Sequence, residues 1–123
     1  MLSPIAYGLA VVLDLLFLFI GAQFFVRPRA AAAGYGVPAK DDGDAAYLTI
    51  KGSRDAPYGL VGLALLFFVG ARAEAWFMLV VAIIPLMDTV IVLRNGGAKA
   101  VAFGVHFATA VAILVSAVLL FLV

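Results

Sequence analysis

Between Pro4 and Val26 the chain is apolar, interrupted only by Asp14 and Gln23. An α-helix needs roughly 20 such residues to cross a bilayer core of about 30 Å, so this run spans. It stops at Arg27-Pro28-Arg29, where two charges and a proline cannot continue a lipid-facing helix. Three further apolar stretches follow. The second, from Ala56 to Ala71, reaches crossing length only when extended back through Gly52-Ser53-Arg54-Asp55. The third ends at Arg94-Asn95-Gly96-Gly97, a loop signal, and the fourth starts near Lys99. The expected spans are about 4–26, 52–71, 75–94 and 99–121 of one domain covering 1–123. The expected fold class is all-α, an integral membrane four-helix bundle.

Composition closes the alternatives. Hydrophobic residues make up 67% of the 123 residues and charged ones 12%, against roughly 45–50% and 25% in soluble proteins. A soluble domain of this size could not hide so much apolar surface, which excludes a soluble enzyme, a nucleic-acid reader and a disordered tail. With no cysteine there is no thiolate metal site or thiol redox chemistry. A net charge of +1 builds no field for nucleic acid, and a single histidine, His106, cannot make a His-rich metal site. No metal or cofactor is expected. The first span lacks a basic leader and is read as a retained anchor.

Seven of the eight Lys and Arg residues, all but Arg72, fall at the first and third connections and their helix ends. The positive-inside rule then puts those connections in the cytoplasm and both termini of a cell-membrane protein outside. The first connection, with Gly34, Gly36, Pro38 and the acids Asp41, Asp42 and Asp44, reads as a surface loop; its acids are too irregularly spaced for a calcium loop. Arg72 and Glu74 read as closing a tight second connection.

Ionisable groups at membrane depth are costly and mark candidate sites. Asp14 lies near the midplane of its span. Asp88 and His106 lie about four residues, or roughly 6 Å, toward the cytoplasmic ends of theirs. Arg54, Asp55 and Gln23 sit shallower on the same side. Turned inward, these groups form a polar cup open to the cytoplasm. Periodicity supports that orientation. Tyr7, Ala10, Asp14, Phe17 and Gly21 form a stripe on the first helix; Asp55, Gly59 and Gly62 share a face of the second, where Tyr58 approaches Arg54 and Asp55; and Ala102, His106, Thr109, Ala110, Ile113 and Ala117 stripe the fourth. Pro85, three residues before Asp88, predicts a kink that frees a carbonyl near that acid. Each signal has a structural rival: Asp14 as an acid bonded to Tyr7 or a hydroxyl, Arg54–Asp55 as an interfacial salt bridge, Asp88 and His106 as a buried hydrogen bond.

The Gly52-x-Arg54-Asp55 motif, with Pro28, Gly34-x-Gly36-x-Pro38, Asp88 late in the third span and His106 early in the fourth, resembles a family of small four-span membrane proteins known only as a domain of unknown function. That resemblance covers nearly the whole chain and implies no activity. More loosely, four helices around a polar pocket are similar to the emopamil-binding and sterol-isomerase architecture, which implies a lipophilic ligand by fold analogy alone.

Three function classes follow. The first is a membrane-embedded binder or cofactor-free acid–base isomerase or cyclase for a lipophilic small molecule, with Asp88, His106 and Asp55 catalytic and Arg54, Tyr58, Asp14 and Gln23 holding substrate. The second is an accessory subunit whose buried charges fix helix register. The third is a proton-coupled carrier, working as a homodimer, in which Asp14 alternates between proton and substrate.

Overall fold

The computed structural model describes residues 1–40 and 44–123; Asp41 and Asp42 of the acidic trio lie outside the described residues. Apart from short turns, the described residues are helical, with no strand among them. Helix α1 runs Leu2–Val26, α2 Pro28–Tyr35, and α3 Asp44–Ala64 with a π-helical continuation Leu65–Val69; α4 runs Ala71–Arg94 and α5 Lys99–Phe121. Three of these, α1, α4 and α5, are long and apolar enough to cross a membrane.

Each boundary has a local cause. Pro28 disfavours helical geometry at the residue before it, so Arg27 sits at φ −133°, ψ 67° and the chain turns. Pro28 then opens α2, its missing N–H costing nothing in a first turn, and the four alanines 30–33 propagate it. Gly36, at φ 100°, closes α2 in a left-handed cap that an L side chain would strain. The first connection is therefore not a plain surface loop. At the other end, the turn between α3 and α4 is the single residue Gly70, at φ 136°. Arg72 and Glu74 consequently belong to the first turn of α4 and not to a connection.

Helix α1 packs antiparallel along α3, and this is the closest pairing in the molecule. Glycines make it close: a Cβ on Gly52 would lie 2.6 Å from the Gly21 carbonyl oxygen and 2.6 Å from the Phe25 nitrogen. Small residues at such a seam let backbones gain dispersion contact where lipid offers no hydrophobic drive. Helix α5 packs on α4 and α1 through the stripe Ala102, His106, Ala110, Ile113 and Ala117, all buried. The buried stripe of α1 runs through Ala6, Ala10, Asp14 and Gly21; Tyr7 falls off it and is 39% exposed. Helices α1 and α4 make little direct backbone contact. Pro85 removes an N–H from the middle of α4, which turns at Ala82 and leaves the Val81 carbonyl without its helical partner. Large apolar side chains such as Phe19, Phe67, Val80 and Val118 stay exposed on the outside, the arrangement expected of a bundle solvated by lipid.

Candidate functional site

Tyr35, the last residue of α2, holds the polar centre together. Its hydroxyl donates a hydrogen bond to Oδ2 of Asp88 on α4. Its backbone carbonyl accepts one from Nε2 of His106 on α5, at 2.7 Å. A carbonyl only accepts, so Nε2 carries the hydrogen and Nδ1 of the neutral ring is left as an acceptor. The Tyr35 ring stands edge-on to His106, with centroids 4.2 Å apart, and to Phe24 of α1, at 5.2 Å. The ammonium of Lys51 on α3 lies over the Phe24 and Tyr35 rings, 4.4 and 4.5 Å from their centroids, and pairs with Asp55 one turn on. Burial and the adjacent Asp88 and Asp55 carboxylates push the Tyr35 hydroxyl far above the ordinary tyrosine range, so it remains a proton donor.

His106 lies in a π-helical turn, 102–107. Such turns are uncommon and recur at functional sites. Asp88 sits one turn beyond Pro85, and Thr89 satisfies the Pro85 carbonyl at 2.8 Å.

Beside this network is a cavity of about 460 Å³, within the range of small-molecule sites. It lies between α1 and α4, the pair of long helices that do not close on one another, with α2, α3 and α5 supplying the remaining walls. Asp55, Tyr58, Asp88, His106 and Gln23 line its polar part. Leu16, Phe17, Ile20, Val81 and Ile84 line its apolar part. Arg27 stands at the rim, bonded to Gln23 at 2.9 Å.

Five of the seven residues singled out in the sequence thus share one cavity. Two do not. Arg54 points away from it and is exposed, because Asp55 takes Lys51 as its partner across one helical turn, placing residue 54 on the outer face. Asp14 is fully buried, but deeper, where its carboxyl group lies within hydrogen-bond reach of Glu74 on α4 and not of Tyr7 or a hydroxyl. Its carboxyl group rests against the Cα of Gly62, the reason a side chain has no room there. All four oxygens of this pair are buried without a donor. A bond between the two acids therefore exists only when one of them carries a proton.

Three residues of this chemistry escape a sequence reading. Tyr35 falls in a stretch with the glycines of a loop, although Pro28 and the alanine run that bring it to the site are visible. Lys51 reads in the sequence only as a topological charge. Glu74 reads as a turn residue until the turn is seen to be Gly70 alone.

The centre offers proton chemistry: a carboxyl group bonded to Tyr35 through one oxygen, an imidazole anchored through Nε2, and a phenol held as a donor. Among the described residues no three His, Cys, Asp or Glu side chains gather as a metal site. Against known proteins, the family model described as Domain of unknown function (DUF4267) matches residues 15–120. No curated protein and no solved structure matches the chain.

Proposed function

The chain belongs to that family, and from this premise we propose that it is a membrane protein that binds a lipophilic small molecule in the cavity between α1 and α4 and performs acid–base chemistry on it. The supporting observation is the convergence of Asp88, His106, Asp55 and Tyr58 on one largely apolar space. Nδ1 of His106 accepts a proton from a substrate carbon or hydroxyl, the Asp88 carboxylate, held by the Tyr35 hydroxyl, stabilises the charge that develops, and the imidazolium so formed returns the proton elsewhere on the same molecule. An isomerisation or cyclisation balances in this way with no further reactant; the opening of an epoxide by an internal hydroxyl does the same. The looser similarity to emopamil-binding and sterol-isomerase proteins fits such a ligand.

In this reading α3 is the fourth crossing, the seven clustered cations face the cytoplasm in the cell membrane, and the polar centre opens to that side. A second reading, a proton-coupled carrier, takes its support from the Asp14–Glu74 pair, two acids at membrane depth outside the cavity. The test is mass spectrometry of small molecules that copurify in mild detergent with the wild type and with Asp88→Asn. A compound retained by the wild type and lost from a folded variant supports the binder. Identical empty spectra from both, together with proton flux into proteoliposomes that Glu74→Gln abolishes, would favour the carrier.

A further inference from the structure

The charges around the cavity are unevenly paired, and the pairing points to a ligand class. Asp55 and Asp88 both belong to it, and among the described residues the ammonium ion-paired with either is that of Lys51, bonded to Asp55. Asp88 meets a neutral donor, the Tyr35 hydroxyl, on one oxygen. Arg27, at the rim, is engaged with the Gln23 side chain. The groups left over beside Asp88 are acceptors, the second oxygens of Asp88 and Asp55 and Nδ1 of His106, and the donors that share the polar end, the Tyr58 hydroxyl and the Gln23 amide, are neutral. A carboxylate facing apolar walls is expensive to leave unmatched.

Resting on the binding reading above, we propose that the cavity takes a cationic amphiphile, a protonated amine carried on an apolar body. An ammonium has donors and no acceptor, the complement of what Asp88, Asp55 and His106 leave open. It would also sit within reach of aromatic faces, since Phe17, Phe24 and Tyr58 line the same space. The apolar body lies along Leu16, Ile20, Val81 and Ile84, the wall where α1 and α4 stay apart and lipid-soluble molecules have lateral entry. A carboxylate head would be repelled by two carboxylates and attracted only by cations already engaged, the Lys51 ammonium on Asp55 and the rim guanidinium of Arg27 on Gln23. A neutral alcohol would satisfy one acceptor and leave the charge unmatched.

The test uses the full chain in phosphatidylcholine nanodiscs, with thermal unfolding read from Trp76 fluorescence. Dodecylamine, dodecanol and dodecanoate are titrated in parallel against the wild type and Asp88→Asn. The expected result is a saturable rise in Tm with dodecylamine, half-saturating at least about tenfold below either matched probe, a discrimination of about 1.4 kcal/mol. Asp88→Asn should lose that rise while still responding to bulk amphiphile in the bilayer as the wild type does. If Asp88→Asn fails to assemble, the three probes on the wild type decide alone. Dodecanol binding as well as dodecylamine would overturn the charge proposal and leave the cavity reading standing, and dodecanoate binding best would move the head group to Arg27. Saturable binding by none of the three would sink the proposal together with the reading beneath it.

Discussion

Replacing the Tyr35 hydroxyl by hydrogen removes the donor from Asp88 but leaves the backbone bond to His106 untouched. A hydrogen bond to a charged group contributes about 1.5–3 kcal/mol, and the abandoned carboxylate keeps its desolvation cost. Tyr35→Phe is therefore expected to lower stability by about that amount in detergent melts, while Tyr47→Phe, at a residue 76% exposed, leaves the Tm unchanged. Equal Tm values for the two variants would mean that Asp88 does not depend on Tyr35. The deeper acids behave differently. Asp14 and Glu74 have four buried oxygens and no donor, so Asp14→Asn supplies N–H groups where none exist and keeps the shape. Its Tm should match or exceed the wild type, whereas Asp14→Ala, which strands Glu74 beside a void, should fall by several degrees. A drop of the same size in both variants would show that the carboxylate itself is needed there.

Among the elements, those read from periodicity alone are the ones whose residues lie on a single helix. The α5 stripe from Ala102 to Ala117 is buried as its spacing implies, Thr109 alone of its residues being only partly covered, because 3.6-residue periodicity is set within one segment. What local pattern does not contain is the register of one helix against another. Arg54 and Asp55 are adjacent in sequence, and only the pairing of Lys51 with Asp55 decides which of them faces inward. Asp14 and Glu74 are 60 residues apart, and nothing near either announces the other. Helix α2 is a different case: proline, four alanines and a capping glycine were all legible, and the turn-forming Gly34, Gly36 and Pro38 outweighed them. The register of α1 on α3 gives a further prediction. Gly52→Ala places a methyl 2.6 Å from two backbone atoms of α1, which have no rotamer to escape into. Overpacking of this kind costs about 1–3 kcal/mol. Gly8→Ala, with nothing within 4 Å, should be neutral or gain about 0.5–1 kcal/mol in helix propensity. The two melts, run side by side, check the seam; a tolerated Gly52→Ala would show that the α1–α3 packing is looser than described.

At the scale of the whole molecule, α3 is the element that decides the topology. Its apolar part, residues 56–69, is about 21 Å long at 1.5 Å per residue, short of a core of about 30 Å. Yet it lies antiparallel against α1, with Gly52 at Gly21 and Phe25, and Gly62 at the Asp14 side chain, so its depth is tied to that of a helix that spans. The missing length is supplied by the turn carrying Lys51 and Asp55, whose mutual pairing removes a net charge at the level of Phe24. A paired, partly covered turn is far cheaper at that depth than two separate ions. Four crossings put residues 1 and 123 on the same side, and three put them on opposite sides. Reporters fused before Met1 and after Val123 should both read extracytoplasmic, since every Lys and Arg but Arg72 gathers at the opposite ends of the helices. Opposite readouts would make α3 a helix that enters and leaves by one face, and Asp55 would then reach the cavity from a re-entrant segment. Two cytoplasmic readouts would keep the four crossings and turn the polar centre, with Tyr35 over it, toward the outside.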